Sequence, residues 1–517
     1  MSMKIADYIV KNRFLWICVA LFMAVCHGTM MLGNSIGIDT EDIINLQNQF
    51  YGGWLTTGRQ GLVLIKRLTG NQIFNPQLAG AATLIFLTAA CILWTYLFTY
   101  ISKKENMFSV AGFSIIIAVS TVLTEQLYFK LQAMELTLGF CIMACNLLLL
   151  YHTLELQMKK QIKKGLAIGR YLMVIGINLV LFSIYQAMVP LYIFGSVSCF
   201  YLYYFSGNDN QDGDEKDVKS LWNFLSTMIA VFLVSFLLNQ LITSMYFSGS
   251  DYLQSQFLWF THPFLDCIRN IWIHMKEIML GTQIYYVKTF VLYCILIIAV
   301  SLLLLKKRGK SKTWIFGVLA IIGVLLAPFY MTILCGHAPN IRAQLVLPFT
   351  LAFMVYFLFL IADGNKIMLY GLMILGIISA YWQLKYTMLL NYSDQMRYES
   401  DYRMASSMIE RIDLLQNEQK SYPVVFIGKQ SAKLNSSCIR GEVIGYSFFE
   451  WDVNVEPYGY YNSRRVLGFM QSMGEQYAWA DADTTRTAYE YSLTMENWPS
   501  EKSIELYNDI IIVKLSD

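Results

Sequence analysis

Residues 14–33 read FLWICVALFMAVCHGTMMLG, and the chain that leaves them carries Gly37-Ile38-Asp39-Thr40-Glu41-Asp42. The first stretch is about 20 mostly apolar residues, the length that takes a helix across the ~30 Å hydrocarbon core of a bilayer. It is too long for the apolar core of a typical signal peptide and no A-x-A site follows it, so it is expected to stay as a helix. Three carboxylates then emerge at the membrane surface, where charge must meet either water or a partner.

The same apolar pattern recurs along the chain. Hydrophobic residues make up 56% of the 517 and charged residues 15%, with a mean hydropathy of +0.45; a soluble domain carries about 25% charged residues. We expect a polytopic α-helical membrane protein with about eleven transmembrane helices, near 14–33, 78–101, 107–124, 134–151, 171–185, 187–205, 221–245, 286–305, 313–335, 345–362 and 367–390. The partner this implies is a lipid bilayer. The net charge of +3 is too small to suggest nucleic acid. Most of the ten cysteines fall inside spans and read as small apolar packing residues, and Cys438 is alone in the C-terminal region, so no disulfide framework is available there.

Lys and Arg set the expected orientation. Alternate loops hold Lys4, Lys11 and Arg13; Lys103 and Lys104; Lys159, Lys160, Lys163, Lys164 and Arg170; Lys216 and Lys219; Lys306, Lys307, Arg308, Lys310 and Lys312; and Lys366, while the opposite loops are poorer. The positive-inside rule puts the N-terminus in the cytoplasm, and an odd number of spans puts the C-terminus outside.

On this topology three outer segments exceed plain turns. Residues 34–77 begin with the carboxylates and continue through Gly61-Leu62-Val63-Leu64-Ile65-Lys66-Arg67-Leu68, which fits a helix lying along the interface, its apolar face in lipid and its cations near headgroups. Residues 246–285 carry Phe264, Leu265, Ile268, Ile271, Trp272 and Met275 at helical spacing and suggest a second interfacial helix. Residues 391–517 are polar, with strand-like Val424-Val425-Phe426-Ile427 and Ile510-Ile511-Ile512-Val513, and a helical stretch over 396–416 that continues the last span outward. The chain therefore divides into a transmembrane domain, 1–390, and a small α/β C-terminal domain, 391–517, in which we find no metal cluster, phosphate loop or nucleophile motif. The Gly165-to-Gly169 match to GxxxG crosses a span boundary, and there is no long internal repeat.

Among candidate functional groups the carboxylates come first. Asp39 and Asp42 have the spacing of an N-cap and its N3 partner, a variant of the capping box. Glu41 adds a third carboxylate that capping does not require, and a capped carboxylate is also a positioned one, as a general base must be. Arg59, in Thr57-Gly58-Arg59-Gln60-Gly61, is either an interfacial arginine reaching headgroups or a phosphate clamp, since a guanidinium matches phosphate oxygens bidentately. Other polar groups gather on the same expected side: Glu125, Gln126, Lys130 and Glu135; Tyr185, Gln186 and Pro190; His262, Asp266 and Arg269; and His337, Asn340, Arg342 and Gln344.

The acidic loop with Asp39, Glu41 and Asp42, followed by Trp54 and Gly58-Arg59, the Tyr185-Gln186 pair, Arg342 just before a span, and the polar outer segment at the end of the chain resemble the GT-C superfamily of membrane glycosyltransferases. Within it, the sequence is similar to the type-II O-antigen glucosyltransferase family, which includes phage serotype-converting enzymes. The match covers the spans well and the last ~120 residues loosely. The family often has two adjacent aspartates where this chain has Glu41-Asp42, with Asp39 upstream. The resemblance implies a GT-C-like fold in a bacterial cytoplasmic membrane, and an inverting transfer of a hexose, usually glucose, from a polyprenyl-phosphate-linked sugar donor. The acceptor would be an outer-face glycan of O-antigen, capsule or teichoic-acid type. Asp39 or Asp42 would be the base, with Glu41 beside them. Arg59 and Arg342 would hold the donor phosphate, with Lys66 and Lys130 as lesser candidates, and Trp54, Tyr185, Gln186, His262 and Gln344 would contact substrate. Alternatively Asp39 and Asp42 bind a divalent cation, Mg or Mn, as hard cations favour oxygen ligands. The rival readings are a polysaccharide polymerase or ligase, a lipid-linked oligosaccharide transporter or flippase, and a receptor. A transporter calls for repeat symmetry and ionisable residues deep within spans, and neither is clear here.

Overall fold

A computed structural model describes residues 4–47, 51–206, 218–246, 256–307, 312–416, 421–452 and 463–517; Lys216, Arg308 and Lys310 of the orientation argument, and residues 247–255 of the second outer segment, lie outside these. Among the described residues, nine helices are long and apolar enough to cross a membrane: Arg13–Leu32, Pro76–Ser102, Lys130–Met158, Lys164–Phe182, Met188–Phe205, Val218–Tyr246, Phe290–Lys307, Trp314–Cys335 and Lys366–Asp413.

The other two expected spans depart from straight crossings. The third is broken into Met107–Ala118 and Thr121–Tyr128, bent by 49°. The freed backbone groups find partners, as they must inside a membrane. His27 Nε2 lies 2.8 Å from the Ala118 carbonyl, Thr387 Oγ1 donates to the Val119 carbonyl at 2.9 Å, and Ser120 Oγ caps the second half by accepting from Leu123 N. The expected tenth span is a 16-residue helix, Val346–Ile361, roughly 24 Å long at 1.5 Å per residue. It is short of a full crossing and buried from Val346 to Leu360, a central strut enclosed by its neighbours.

The last helix, Lys366–Asp413, runs unbroken for 48 residues, roughly 72 Å, so the boundary drawn at 390/391 falls within one rod. Its far half is a spine joining the two ends of the chain. Arg397, fully buried, pairs with Asp394 and lies 3.5 Å from Asp401, and its Nη2 donates to the Ile36 carbonyl at 2.8 Å. Asp401 accepts from Ser447 Oγ at 2.6 Å and from Phe448 N at 3.1 Å.

The C-terminal segment forms a three-stranded sheet in the order β1-β3-β2: β1 (Val424–Ile427) parallel to β3 (Ile510–Lys514), and β2 (Ile504–Tyr507) antiparallel to β3. The alternation of side chains along a strand sorts the two faces. Val425, Ile427, Ile510 and Ile512 make a satellite core with Ala488 and Met495, whereas Val424, Phe426, Ile511 and Val513 join the main core shared with the helical body.

The first expected interfacial helix is corrected. In Gln60–Leu68 the apolar face turns into the protein, because Gly61 N and Leu62 N both donate to the Ser183 carbonyl, at 3.0 and 3.2 Å. A Cβ on Gly61 would lie 2.3 Å from the Val180 carbonyl oxygen, so only glycine permits this approach. Lys66 is buried with Glu135 instead of reaching headgroups. The second helix, Phe264–Leu280, buries Cys267, Ile271, His274 and Ile278 and leaves Phe264, Leu265, Ile268 and Trp272 exposed. Gly165 and Gly169 both lie inside Lys164–Phe182, with open space where a Cβ would stand.

Candidate functional site

The chain leaves its first span and reverses at Asp39, whose φ of +67° lies in the left-handed region, to enter the short helix Thr40–Leu46. Asp39 occupies the N-cap position, but its side chain makes no cap hydrogen bond, which corrects the capping-box expectation. A long-range partner has taken it: Asp39 Oδ1 lies 2.8 Å from Arg465 Nη2.

Arg465 stands on the helix Ser463–Ser472 of the C-terminal segment and gathers four carboxylates. Besides Asp39, its Nη1 lies 2.8 Å from Glu41 and 3.8 Å from Asp42, and its Nε 2.6 Å from Asp452. Arg464 pairs with Asp42 at 2.8 Å. Burial, against the pull of Arg465, pushes Glu41 up to about 8, helped by the like charges of Asp42 and Asp39. Its Oε2 is buried and without a partner, as suits a protonated acid. Burial also raises Asp42 against the pull of Arg464 and Arg465. Asp39 keeps 40% of its side chain exposed, against 1% for Glu41 and 9% for Asp42.

That exposed side faces a cavity of about 1030 Å³. Asp39, Trp54 and Arg59 line it from the segment that follows the first span, Tyr185 and Gln186 from the turn between two spans, and Arg342 from the loop before the short central helix. The C-terminal segment adds Glu442, Trp451, Asp452 and Arg465. Arg59 is aimed by Gln132, whose Oε1 accepts from its Nη1 at 3.1 Å, and lies 5.0 Å above the Tyr185 ring. Gly58, at φ +73°, makes the turn that presents it, and Gln186 Nε2 fixes the same turn by donating to the Thr57 carbonyl at 2.8 Å. Arg342 stacks 4.6 Å over the Phe129 ring, and its backbone N donates to Glu442 Oε2 at 3.3 Å. Glu442 is itself held from below: its N–H lies 2.7 Å from Glu125 Oε1 and 2.6 Å from the Tyr285 hydroxyl, which donates to the same Glu125 oxygen. A Cβ at Gly441 would stand 1.9 Å from Glu125 Oε1, so a glycine is needed there.

Six of the sequence candidates lie elsewhere. Glu41 and Asp42 are behind Asp39, in the arginine knot, and are not among the lining residues. Lys66 is fully buried with Glu135 at 3.0 Å. Lys130 donates to the carbonyls of Gly33 and Ser35, at 2.9 and 2.7 Å, and so ties down the chain as it leaves the first span. His262 is exposed beside Thr261. Gln344 is buried, donating to the Pro339 carbonyl and accepting from Tyr286.

A divalent cation needs several carboxylate oxygens turned toward one point. Here Asp39, Glu41, Asp42 and Asp452 all turn toward a guanidinium, and among the described residues no group of three or more His, Cys, Asp or Glu could hold a metal. The donor set does not suit Mg or Mn.

Reading the sequence missed Arg465, Asp452, Trp451, Glu442 and Gln132. The adjacent pair Arg464-Arg465 was the available signal, since three clustered carboxylates require cations and the first loop has too few nearby. Residues 28–362 match the family model described as Glucosyl transferase GtrII, a stretch that includes Asp39, Arg59, Tyr185 and Arg342 and ends before the segment carrying Glu442 and Arg465. No curated protein and no solved structure matches the chain.

Proposed function

Because the chain belongs to the GtrII glucosyl transferase family, we propose that it moves a glucosyl residue, with inversion, from a polyprenyl-phosphate donor to an envelope glycan. Transfer takes place at the outer face of a bacterial cytoplasmic membrane, with the N-terminus in the cytoplasm and the C-terminus outside. The observation that carries this reading is that Asp39, Arg59 and Arg342 line one cavity.

The acceptor hydroxyl attacks the anomeric carbon and passes its proton to Asp39 as the new C–O bond forms. The bond from that carbon to the phosphate oxygen breaks, and its electron pair leaves on polyprenyl phosphate. The leaving group gains one negative charge, which Arg59 and Arg342 meet. A phosphate departs without protonation, so a single carboxylate suffices where a hydrolase uses two. Arg465 holds Asp39 in one orientation. Lys66 and Lys130, fully committed to Glu135 and to two carbonyls, serve the framework.

The test is to supply membranes containing the protein with radiolabelled polyprenyl-phosphate glucose and candidate glycans of O-antigen, capsule and teichoic-acid type. Label in a glycan supports the reading. Label in none, while a nucleotide-sugar donor does transfer, contradicts it.

A further inference from the structure

We propose that the polyprenyl chain of the donor lies in a groove between the helices Met188–Phe205, Val218–Tyr246 and Trp314–Cys335, leading from the site cavity into a second cavity of about 180 Å³. This rests on the polyprenyl-phosphate reading above.

The second cavity is lined almost wholly by apolar side chains. Two of the three helices, Met188–Phe205 and Val218–Tyr246, line both cavities with a continuous face, and Trp314–Cys335 contributes to each from one of its ends. On Val218–Tyr246 the site cavity takes Thr243, Gln240, Asn239 and Phe236, and the second takes Phe232, Ile229, Met228 and Leu225. These positions recur every three or four residues, so they form one stripe. On Met188–Phe205 the stripe passes from Val189 to Ile193, Val197 and Phe200, while Trp314–Cys335 gives Met331 and Leu334 to the site cavity and Leu319 and Ala320 to the second. Phe232 sits at the junction, its ring stacked on Phe236 at 5.8 Å and on Tyr192 at 6.2 Å.

The stripe is polar beside the site and apolar below, the polarity of an amphiphile whose phosphate is at Arg59 and Arg342. From Thr243 to Leu225 it spans roughly 27 Å, close to the ~30 Å of a hydrocarbon core. Ile229 and Leu319, at its edge, are 47% and 48% exposed, so the groove opens sideways toward lipid. A single narrow track suits one long isoprenoid chain better than the paired acyl chains of a phospholipid.

The experiment compares KM for a long-chain polyprenyl-phosphate glucose with KM for a ten-carbon prenyl analogue, whose tail ends short of the second cavity. Met228→Trp and Ile229→Trp fill that cavity, and Ile377→Trp, on an exposed face of the last helix, is the control. We expect the long-to-short KM ratio to rise about tenfold in both filling variants, as a few methylenes lose their contacts, and to stay constant in the control. The ratio cancels any general loss of folded protein. An unchanged ratio in the filling variants, with wild type using both donors, overturns the groove alone. Wild type that uses neither donor overturns the donor reading and the groove with it.

Discussion

Arg465 Nη2 and Asp39 Oδ1 are 2.8 Å apart, although one residue lies near the start of the chain and the other near its end. The contact makes the C-terminal segment part of the site: the carboxylate comes from the family-matched region and its guanidinium partner from beyond it. Arg465→Met should leave four carboxyl groups around a vacated centre. We expect kcat to fall about a hundredfold, a typical range for a mispositioned general base, with donor KM changed much less. Arg465→Lys, which keeps the charge but not the fork, should fall between. In thermal unfolding, Arg465→Met should cost about 3 kcal/mol, near the lower end for removing one partner of a buried pair.

Arg59 and Arg342 flank the same cavity from different loops. Arg59→Gln and Arg342→Gln should each lower kcat/KM for the donor by roughly 10- to 100-fold, the worth of a charge-assisted hydrogen bond of about 1.5–3 kcal/mol. Initial rates at varied donor concentration measure this. Equal turnover by both variants at low donor would remove them from phosphate binding.

Lys66 and Glu135 are both 0% exposed and 3.0 Å apart. Lys66→Met strands a buried carboxylate and should destabilise the protein by about 3–5 kcal/mol. Pairing it with Glu135→Leu should restore most of the loss, since an apolar pair of similar volume replaces the ion pair. Melting curves in detergent test this, and a donor KM unchanged in the double variant confirms that Lys66 serves the fold.

Glu41 titrates at about 8 in the folded protein, against about 4.3 in an unfolded chain. Between those values the folded state holds a proton that the unfolded chain has released. The group's contribution to stability is therefore complete below about 4.3, falls as pH rises through the window, and levels off above 8. Glu41→Gln should flatten the decline in melting temperature between pH 5 and pH 8, about the window in question. A wild-type melting curve no steeper than that of the variant would contradict the assignment.

Much of the architecture was legible because hydropathy reports burial and period directly. The apolar segments, the strands at Val424–Ile427 and Ile510–Lys514, and the continuation of the last helix beyond its apolar part all follow from composition. The break after Ala118 was not, because hydropathy is blind to the carbonyls that His27 and Thr387 take up from a distance. The Gln60–Leu68 helix was read as facing lipid because an apolar face suits lipid and protein equally; the glycine contact with Ser183 decides it. Asp39 looked like a cap because D-x-x-D is a local pattern, and the competing guanidinium lies at the other end of the chain. Asp39, Arg59 and Arg342 could be named as candidates from residue type and expected side, but their meeting in one cavity, and the choice of Asp39 over Asp42 as the exposed carboxylate, required the fold.

The central claim is that Asp39 takes the acceptor proton while Glu41 and Asp42 stand behind it. The most direct measurement is the single-turnover rate of glucosyl transfer from radiolabelled polyprenyl-phosphate glucose in membranes carrying wild type, Asp39→Asn or Asp42→Asn, at matched protein levels. Loss of a positioned base predicts a rate about 10²- to 10⁴-fold lower for Asp39→Asn, and within about tenfold of wild type for Asp42→Asn. Transfer by Asp39→Asn at the wild-type rate, or a greater loss in Asp42→Asn, would contradict the account.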